Sequence, residues 1–176
     1  MPNTPHDDNH AAAKDRVLTS AASGVYIRHP DASGRVLLVH HVRAGTWVLP
    51  GGKAEQESPR ACALREGREE LGVPVTVGRL LVTHYVTGRH ELWPGARNIP
   101  GAYPCHLYTW QASIPVGRIE EIAVPAGELH DYGWFDVEEV TSEPGRMEFS
   151  NAANLLAAHR AHLTGTHAYL EDAVEF

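Results

Sequence analysis

Residues 51–73 read GGKAEQESPRACALREGREELGV, and they hold the most informative pattern of the chain. Within them, Glu66, Glu69 and Glu70 are spaced three and four residues apart, so on a helix their side chains share one face. Exposed like charges at this spacing repel each other by roughly a few tenths of a kcal/mol per pair. A divalent cation reverses that repulsion, because magnesium takes oxygen ligands and commonly shares them with substrate phosphates. The stretch therefore predicts a magnesium site for phosphate chemistry.

The residues around these glutamates predict a helix with defined ends. Ser58 is a good N-cap, Pro59 suits the first helical position, and Gly72 is placed to end the helix. We expect the metal carboxylates on the face opposite to an inward stripe. That stripe is predicted to consist of Ala61, Leu64, Gly67 and Leu71. Gly67 costs about 1 kcal/mol relative to Ala in a helix, so we expect a neighbouring strand to approach it closely.

The same stretch resembles the Nudix box, a motif of the Nudix hydrolase superfamily. The box is a Gly, five residues, Glu, seven residues, Arg-Glu, an aliphatic residue, any residue, Glu-Glu, any residue, Gly and an aliphatic residue. The matching positions are Gly51, Glu57, Arg65, Glu66, Glu69, Glu70, Gly72 and Val73. Two features depart from the pattern: Gly67 occupies the aliphatic position, and the loop is one residue short, so Gly51 rather than Gly52 meets the spacing.

The resemblance implies an enzyme that hydrolyses a diphosphate bond with the help of Mg²⁺, or of Mn²⁺ in its place. The implied metal ligands are Glu66, Glu69, Glu70 and the backbone carbonyl of Gly51. The residues implied in catalysis are Glu57, Arg65, Glu66, Glu69 and Glu128. Glu57 would contact water near the metal or orient the loop, and Arg65 would pair with a carboxylate. The general base stays open between Glu69 in the box and Glu128 outside it, with Glu120 and Glu121 as further carboxylates.

Substrate recognition is predicted mainly in residues 87–104, a stretch too long for a tight hairpin, and loops of this length are often functional. Its guanidinium groups suit phosphate and its rings could stack on a base. The alternative is a loop that packs on its own fold or contacts a second copy. The predicted substrate-binding residues are Arg43, Lys53, Arg89, Trp93, Arg97 and Tyr103. Arg28 is a weaker candidate for a phosphate contact.

The rest of the chain alternates between strand and helix patterns. Strands are predicted at residues 17–28, 35–42, 73–86, 101–112 and 131–137, and a second helix at 150–163. The side chains of that helix expected to face inward are Ala153, Leu156, Ala157 and Leu163. Strands interrupted by two helices fit the fold that the Nudix resemblance implies, an α/β/α sandwich with a mixed β-sheet.

Composition limits the class of protein. The 176 residues predict a polar tail at 1–15 and a single domain at 16–176. The net charge of −7 argues against a nucleic acid polymer as partner, and two cysteines are too few for a disulfide framework. Without a long apolar stretch or a signal peptide pattern, we expect no membrane association and a cytoplasmic location. The twelve histidines show no spacing for a zinc site.

Three functions are weighed on this basis. The leading hypothesis is a pyrophosphohydrolase of a nucleoside triphosphate, or of a nucleoside diphosphate linked to another group. The second is a hydrolase of a prenyl diphosphate or another non-nucleotide diphosphate, for which Trp93, Ile99 and Tyr103 would suit an apolar ligand. The third is a Nudix-like ligand sensor without turnover, which the retained carboxylates disfavour. The resemblance also allows a homodimer.

Overall fold

The computed structural model of the protein describes residues 19–31, 33–87 and 104–176. Within these ranges its strands are β1 (Ser20–Ile27), β2 (Val36–His41), β3 (Thr46–Val48), β4 (Gly51–Lys53), β5 (Thr76–Val86), β6 (Cys105–Ser113), β7 (Leu129–Phe135), β8 (Ala168–Glu171) and β9 (Val174–Glu175). Its helices are α1 (Pro59–Leu71), α2 (Val137–Ser142), α3 (Phe149–Thr164) and a 3₁₀ helix (Val116–Glu121). The predicted tail at 1–15 and most of the predicted recognition loop lie outside the described residues.

The strands form two sheets. Six strands pair in the order β4-β1-β6-β5-β8-β9, and three pair in the order β3-β2-β7. In the larger sheet β1 runs parallel to β6 and β5 runs parallel to β8, whereas the other neighbours are antiparallel. The mixed sheet that was predicted from the sequence is therefore confirmed. Helix α2 and the short strands β3, β4, β8 and β9 were not predicted, because such short elements carry too few residues to show a period.

The larger sheet lies between α1 and α3. Along β1, successive side chains point to opposite faces, as they do in any strand. Val25 and Ile27 belong to a buried cluster with Ala63 and Leu71 of α1. Tyr26 belongs to a second cluster, which contains Leu155, Ala157, Ala158 and Ala161 of α3. Strand β1 is thus covered on both faces, and it supports the loops at both of its ends.

Helix α1 has the predicted ends. The Ser58 hydroxyl accepts the backbone N–H of Ala61 at 3.3 Å, and Gly72 ends the helix with a left-handed φ of 66°. The predicted inward stripe was partly wrong, because Ala61 is exposed and Leu64 is only half-buried. The buried residues of the helix are Cys62, Ala63, Gly67, Glu70 and Leu71. The face toward the sheet is thus rotated about the helix axis relative to the prediction, and it includes one of the three glutamates.

Gly67 does pack on the sheet, but the contact is less tight than predicted. A Cβ atom added at Gly67 would meet the side chains of Val25 and Val75 at 3.5 Å, which is ordinary van der Waals contact. The close approach of a strand was the expected reason for this glycine, and the geometry does not require it.

The inward face of α3 was also predicted incorrectly in part. Ala157 is buried as predicted and Ala153 is half-buried, but Leu156 is 36% exposed and Leu163 is 60% exposed. The buried side chains of the helix are Ser150, Asn154, Leu155, Ala157, Ala158 and Ala161. No helix in the described part of the chain is long and apolar enough to cross a membrane.

Candidate active site

The first glycine of the box lies directly against strand β1. Gly51 pairs with Gly24, and the carbonyl of Pro50 accepts the N–H of Val25 at 2.8 Å. Gly51 has a φ of 156°, and a Cβ atom there would fall 2.4 Å from the carbonyl oxygen of Ser23. Only glycine allows the two backbones to come this close, so this residue fixes where the box loop sits on the sheet.

The second glycine of the box makes room for a carboxylate. A Cβ atom on Gly52 would lie between 2.5 and 2.8 Å from the carboxylate atoms of Glu66. At the neighbouring position, the N–H of Gly51 donates to Oε2 of Glu70 at 2.7 Å. The two glycines of the short loop therefore have different roles, because Gly51 contacts the sheet and Glu70, whereas Gly52 accommodates Glu66.

Glu70 is 3% exposed, so the expectation that all the box carboxylates lie on the face opposite to the packed side was wrong for this residue. Burial raises the pKa of Glu70 to about 8, and the negative charges of Glu66, Glu128 and Glu69 add to the shift. Burial also raises the pKa of Glu66. Both carboxylates are thus costly to ionise without a nearby cation. This donor set, which consists of hard oxygen atoms that need a positive charge, fits a magnesium or manganese ion.

Arg65 supplies the positive charge among these carboxylates. Its Nη2 donates to Oε1 of Glu57 at 2.7 Å, and its Nη1 donates to Oε1 of Glu66 at 2.7 Å and to Oε2 of Glu69 at 2.9 Å. These bonds raise the pKa of Arg65 further above its ordinary value. Arg65 was predicted to pair with Glu57 or a neighbouring carboxylate, and in the structure it bonds Glu57 as well as Glu66 and Glu69.

Because Glu66 and Glu69 are turned toward Arg65, their oxygens do not converge on one point with a third ligand. In residues 19–31, 33–87 and 104–176, no group of three or more His, Cys, Asp or Glu side chains is arranged around a metal position. Glu66 and Glu69 each keep a second carboxylate oxygen that Arg65 does not bind, so a cation at this site can share these side chains with Arg65.

A cavity of about 340 Å³ opens beside the box loop. Gly51, Gly52 and Lys53 form one side of it, and Arg43 lies on its wall, so both described residues of the predicted substrate-binding set face this cavity. Several lining side chains were not predicted from the sequence: His41, Tyr108, Glu148, Asn151 and Asn154. They come from separate segments, and no local spacing links them all.

Asn154 is the best-defined polar group of this cavity. It is 8% exposed, and its Nδ2 donates to the hydroxyl of Thr109 at 2.8 Å. Its side chain also forms a hydrogen bond with the buried imidazole of His84, whose Nε2 accepts the N–H of Ala173 and whose proton is therefore on Nδ1. The hydrogen bonds with Thr109 and His84 fix the orientation of the Asn154 amide at the wall of the cavity.

The remaining predicted residues fall in different places. Glu128 is exposed, and its charge contributes to the raised pKa values of Glu66 and Glu70, which places it near the box. Glu121 instead pairs with Arg118 on the 3₁₀ helix. Arg28 lies at a different cavity. The predicted contacts Arg89, Trp93, Arg97 and Tyr103 lie outside the described residues.

The model of the NUDIX domain family matches residues 18–157. This chain belongs to the Nudix family. It is similar to the CTP pyrophosphohydrolase of Escherichia coli (strain K12), with 41% identity over 119 residues that make up 65% of this chain and 76% of the relative. It is 30% identical over 112 residues to the diphosphoinositol polyphosphate phosphohydrolase 2 of Mus musculus, where the match covers 62% of this chain and about half (54%) of the relative.

Solved structures show the same fold. The ADP-ribose pyrophosphatase from Streptococcus suis 89-1591 aligns with a TM-score of 0.62 and 19% identity over 88% of this chain and 99% of that one. The protein is thus a Nudix hydrolase of the pyrophosphohydrolase type, in a family that acts on small-molecule diphosphates and generally uses divalent metal ions. The cytoplasmic location and the homodimer stay predictions.

Proposed function

We propose that this Nudix hydrolase is a Mg²⁺-dependent pyrophosphohydrolase of a nucleoside triphosphate, or of a nucleoside diphosphate linked to another group. One observation carries the proposal: the carboxylates gathered at the Gly51–Gly52 loop adjoin a 340 Å³ cavity whose wall carries Arg43 and Lys53. This arrangement places cationic side chains beside an anionic cluster, which is the requirement for binding phosphates that are also bridged by a metal.

The cavity supports a nucleobase as the attached group. Asn151 and Asn154 offer amide donors and acceptors, and the Tyr108 ring lies on the same wall. The amide oxygen of Asn151 suits an N–H donor such as an exocyclic amino group. The similarity to a CTP pyrophosphohydrolase agrees with this, since cytosine carries such a group. For the prenyl diphosphate alternative, the residues that motivated it, Trp93, Ile99 and Tyr103, lie outside the described part of the chain.

In the proposed mechanism, a divalent cation held by Glu66, Glu69 and Glu70 would neutralise phosphate charge and lower the pKa of water. Arg65 would keep Glu57 and the box helix in place, through bonds it already makes. Arg43 and Lys53 would hold the phosphate oxygens as the attacking and leaving groups align. Glu69 would accept the proton from the attacking water, with Glu128 as the second candidate for this role.

The proposal is tested with a panel of nucleoside triphosphates, nucleotide sugars, ADP-ribose, dinucleotide cofactors and prenyl diphosphates, assayed with Mg²⁺ and with Mn²⁺, with products identified by mass. We expect selective cleavage of a nucleotide. Glu70→Gln should lower kcat on the order of 100-fold or more, because a lost metal interaction is worth several kcal/mol. Glu139→Gln, a change at an exposed glutamate of α2, serves as the matched control.

Further variants separate the parts of the proposal. Asn151→Ala and Asn154→Ala should raise KM and reduce discrimination between bases, and Glu128→Gln tests the second candidate base. Cleavage of a prenyl diphosphate with no nucleotide turned over would reject the nucleotide assignment. Turnover that is unchanged in Glu70→Gln would reject the assignment of the site itself.

A further inference from the structure

A second cavity, of about 290 Å³, lies away from the carboxylate cluster. The last residues of β1, and Arg28 directly after them, line this cavity. The first cavity is instead lined by Ala22, Ser23 and Gly24 of β1. At about 3.3 Å per residue along a strand, Ser23 and Arg28 are separated by roughly 16 Å. The two cavities share no lining residue, so the second one is a separate space.

Two cationic or basic side chains of this cavity have hydrogen-bond donors without acceptors. Nη1 of Arg28 lies 3.4 Å from Nε2 of His162. Since a guanidinium can only donate, this contact makes Nε2 the acceptor and leaves the proton of His162 on Nδ1. That Nδ1 and the Nε of Arg28 are both buried, and neither has a partner among the described residues. A buried donor without an acceptor is unfavourable, so both nitrogens would gain from an acceptor.

The charges around this pair are mostly positive. In the described ranges, no carboxylate is within ion-pair distance of Arg28. Asp31, which follows the lining residue Pro30, pairs with Arg35. Arg79 donates to the backbone carbonyls of Thr166 and Ala161, and its positive charge adds to burial in lowering the pKa of His162. The negative charge of Glu138 reaches this region: burial raises the pKa of Tyr26, which lines the cavity, and Glu138 adds to that rise.

The walls of the cavity suit a flat ring. Trp134 meets His29 edge to face with their centroids 4.6 Å apart, and Ile114 and Ile119 add apolar surface. Gln111 supplies neutral hydrogen-bonding atoms on the same wall. A volume of about 290 Å³ is at the small end of the range for ligand sites, so the ligand must be compact.

We propose that this cavity is a second ligand site, which takes a compact phosphate monoester carried on a planar ring. The phosphate would accept hydrogen bonds from Arg28 and His162, after a small rotation of the two side chains that uncovers the buried nitrogens. The ring would lie against Trp134. A phosphate fits these donors because its terminal oxygens accept charge-assisted hydrogen bonds from a guanidinium and can accept from the imidazole at the same time.

The proposed site is tested by titration calorimetry of the full chain in EDTA, which removes divalent cations from the carboxylate cluster. Phenyl phosphate supplies a ring and a phosphate, a nucleoside monophosphate supplies the same chemistry from the product class of the proposed reaction, and inorganic phosphate lacks the ring. We expect phenyl phosphate to bind with one site per chain and at least tenfold more tightly than inorganic phosphate, with a change in tryptophan fluorescence that is lost in Trp134→Phe. Tight binding of the nucleoside monophosphate with the same mutational pattern would identify that product class as a source of the ligand.

Variants decide where the ligand binds. Arg28→Met should weaken phenyl phosphate binding at least tenfold, whereas Arg160→Met, an exposed position on α3, should leave it unchanged. His162→Phe keeps a ring beside Tyr26 and removes the Nδ1 donor, so it gives an independent answer if Arg28→Met does not fold. The proposal fails if neither ring phosphate binds at millimolar concentration. It also fails if binding survives in Arg28→Met and His162→Phe, or if it is lost instead in Asn151→Ala, which changes the first cavity.

Discussion

The Glu70→Gln variant tests whether ionisation of the buried Glu70 carboxyl destabilises the folded protein when no cation is bound. Glu70 is 3% exposed, and among the described residues it accepts the N–H of Gly51 at 2.7 Å. Burial raises its pKa from an ordinary value of 4.5 to about 8. The folded protein therefore binds this proton more tightly than the unfolded chain, and without metal it loses stability as the pH rises from 4.5 to 8. At 1.36 kcal/mol per pKa unit, the loss at pH 7 is about 3 kcal/mol.

The assay is urea unfolding in EDTA at pH 5, 7 and 9. Gln is neutral and its amide oxygen can still accept the Gly51 N–H, so the variant avoids the cost of ionisation. We expect it to be more stable than the parent by about 3 kcal/mol at pH 7 and by less than about 1 kcal/mol at pH 5. Added Mg²⁺ should stabilise the parent and leave the variant nearly unchanged.

Glu69→Gln is the matched control, because the side chain of Glu69 is 59% exposed and pairs with Arg65 at the surface. Its effect should stay within about 1 kcal/mol. If the parent and Glu70→Gln changed in parallel between pH 5 and 9, the buried carboxylate would carry no ionisation cost, and the reasoning for a cation at this position would be refuted.

Three further predictions concern the fold. Gly67→Ala should raise the free energy of unfolding by up to about 1 kcal/mol, because its methyl group finds ordinary contacts at 3.5 Å; a loss in urea unfolding would contradict this. Gly51→Ala should lower stability by on the order of 3 kcal/mol or more, because its Cβ would meet the Ser23 carbonyl oxygen at 2.4 Å, and an unchanged melting temperature would refute it. Burial lowers the pKa of His84 from 6.5 to about 4, so the folded state disfavours the charged form, and stability is lost as the pH falls from 6.5 toward 4. Relative to His84→Gln, the parent should lose about 3 kcal/mol between pH 7 and pH 4 in urea unfolding, and parallel curves would contradict this.

The parts of the molecule that the sequence predicted well are those that local chemistry determines. Helix α1 begins and ends where Ser58, Pro59 and Gly72 indicate, because capping and the left-handed turn depend on residues within one helical turn. The contact of Arg65 with Glu69 follows from a separation of four residues in the same way.

The parts that could not be predicted depend on contacts between distant segments. The first cavity brings Arg43, Tyr108 and Asn154 together only because β1 pairs with β6 and α3 packs behind them. The error on α3 has a related cause. Hydropathy favours burying Leu156 and Leu163, but the helix lies close to the sheet and places small residues there. The residues that make this close contact are Ala157, Ala158 and Ala161.

The charge of the cluster explains why Arg65 and a divalent cation can both serve the site. Glu57, Glu66, Glu69 and Glu70 carry four negative charges when all are ionised, and Arg65 carries one positive charge. With a proton on Glu70, two negative charges remain in excess; once that proton is lost three remain, so a divalent ion neutralises most of the charge of the cluster. Arg65 thus holds the carboxylates together when no cation is bound, since it bonds Glu66 and Glu69 through a single nitrogen. A cation that binds Glu70 must displace its proton, so the affinity of the cation depends on pH as well as on the ligands themselves.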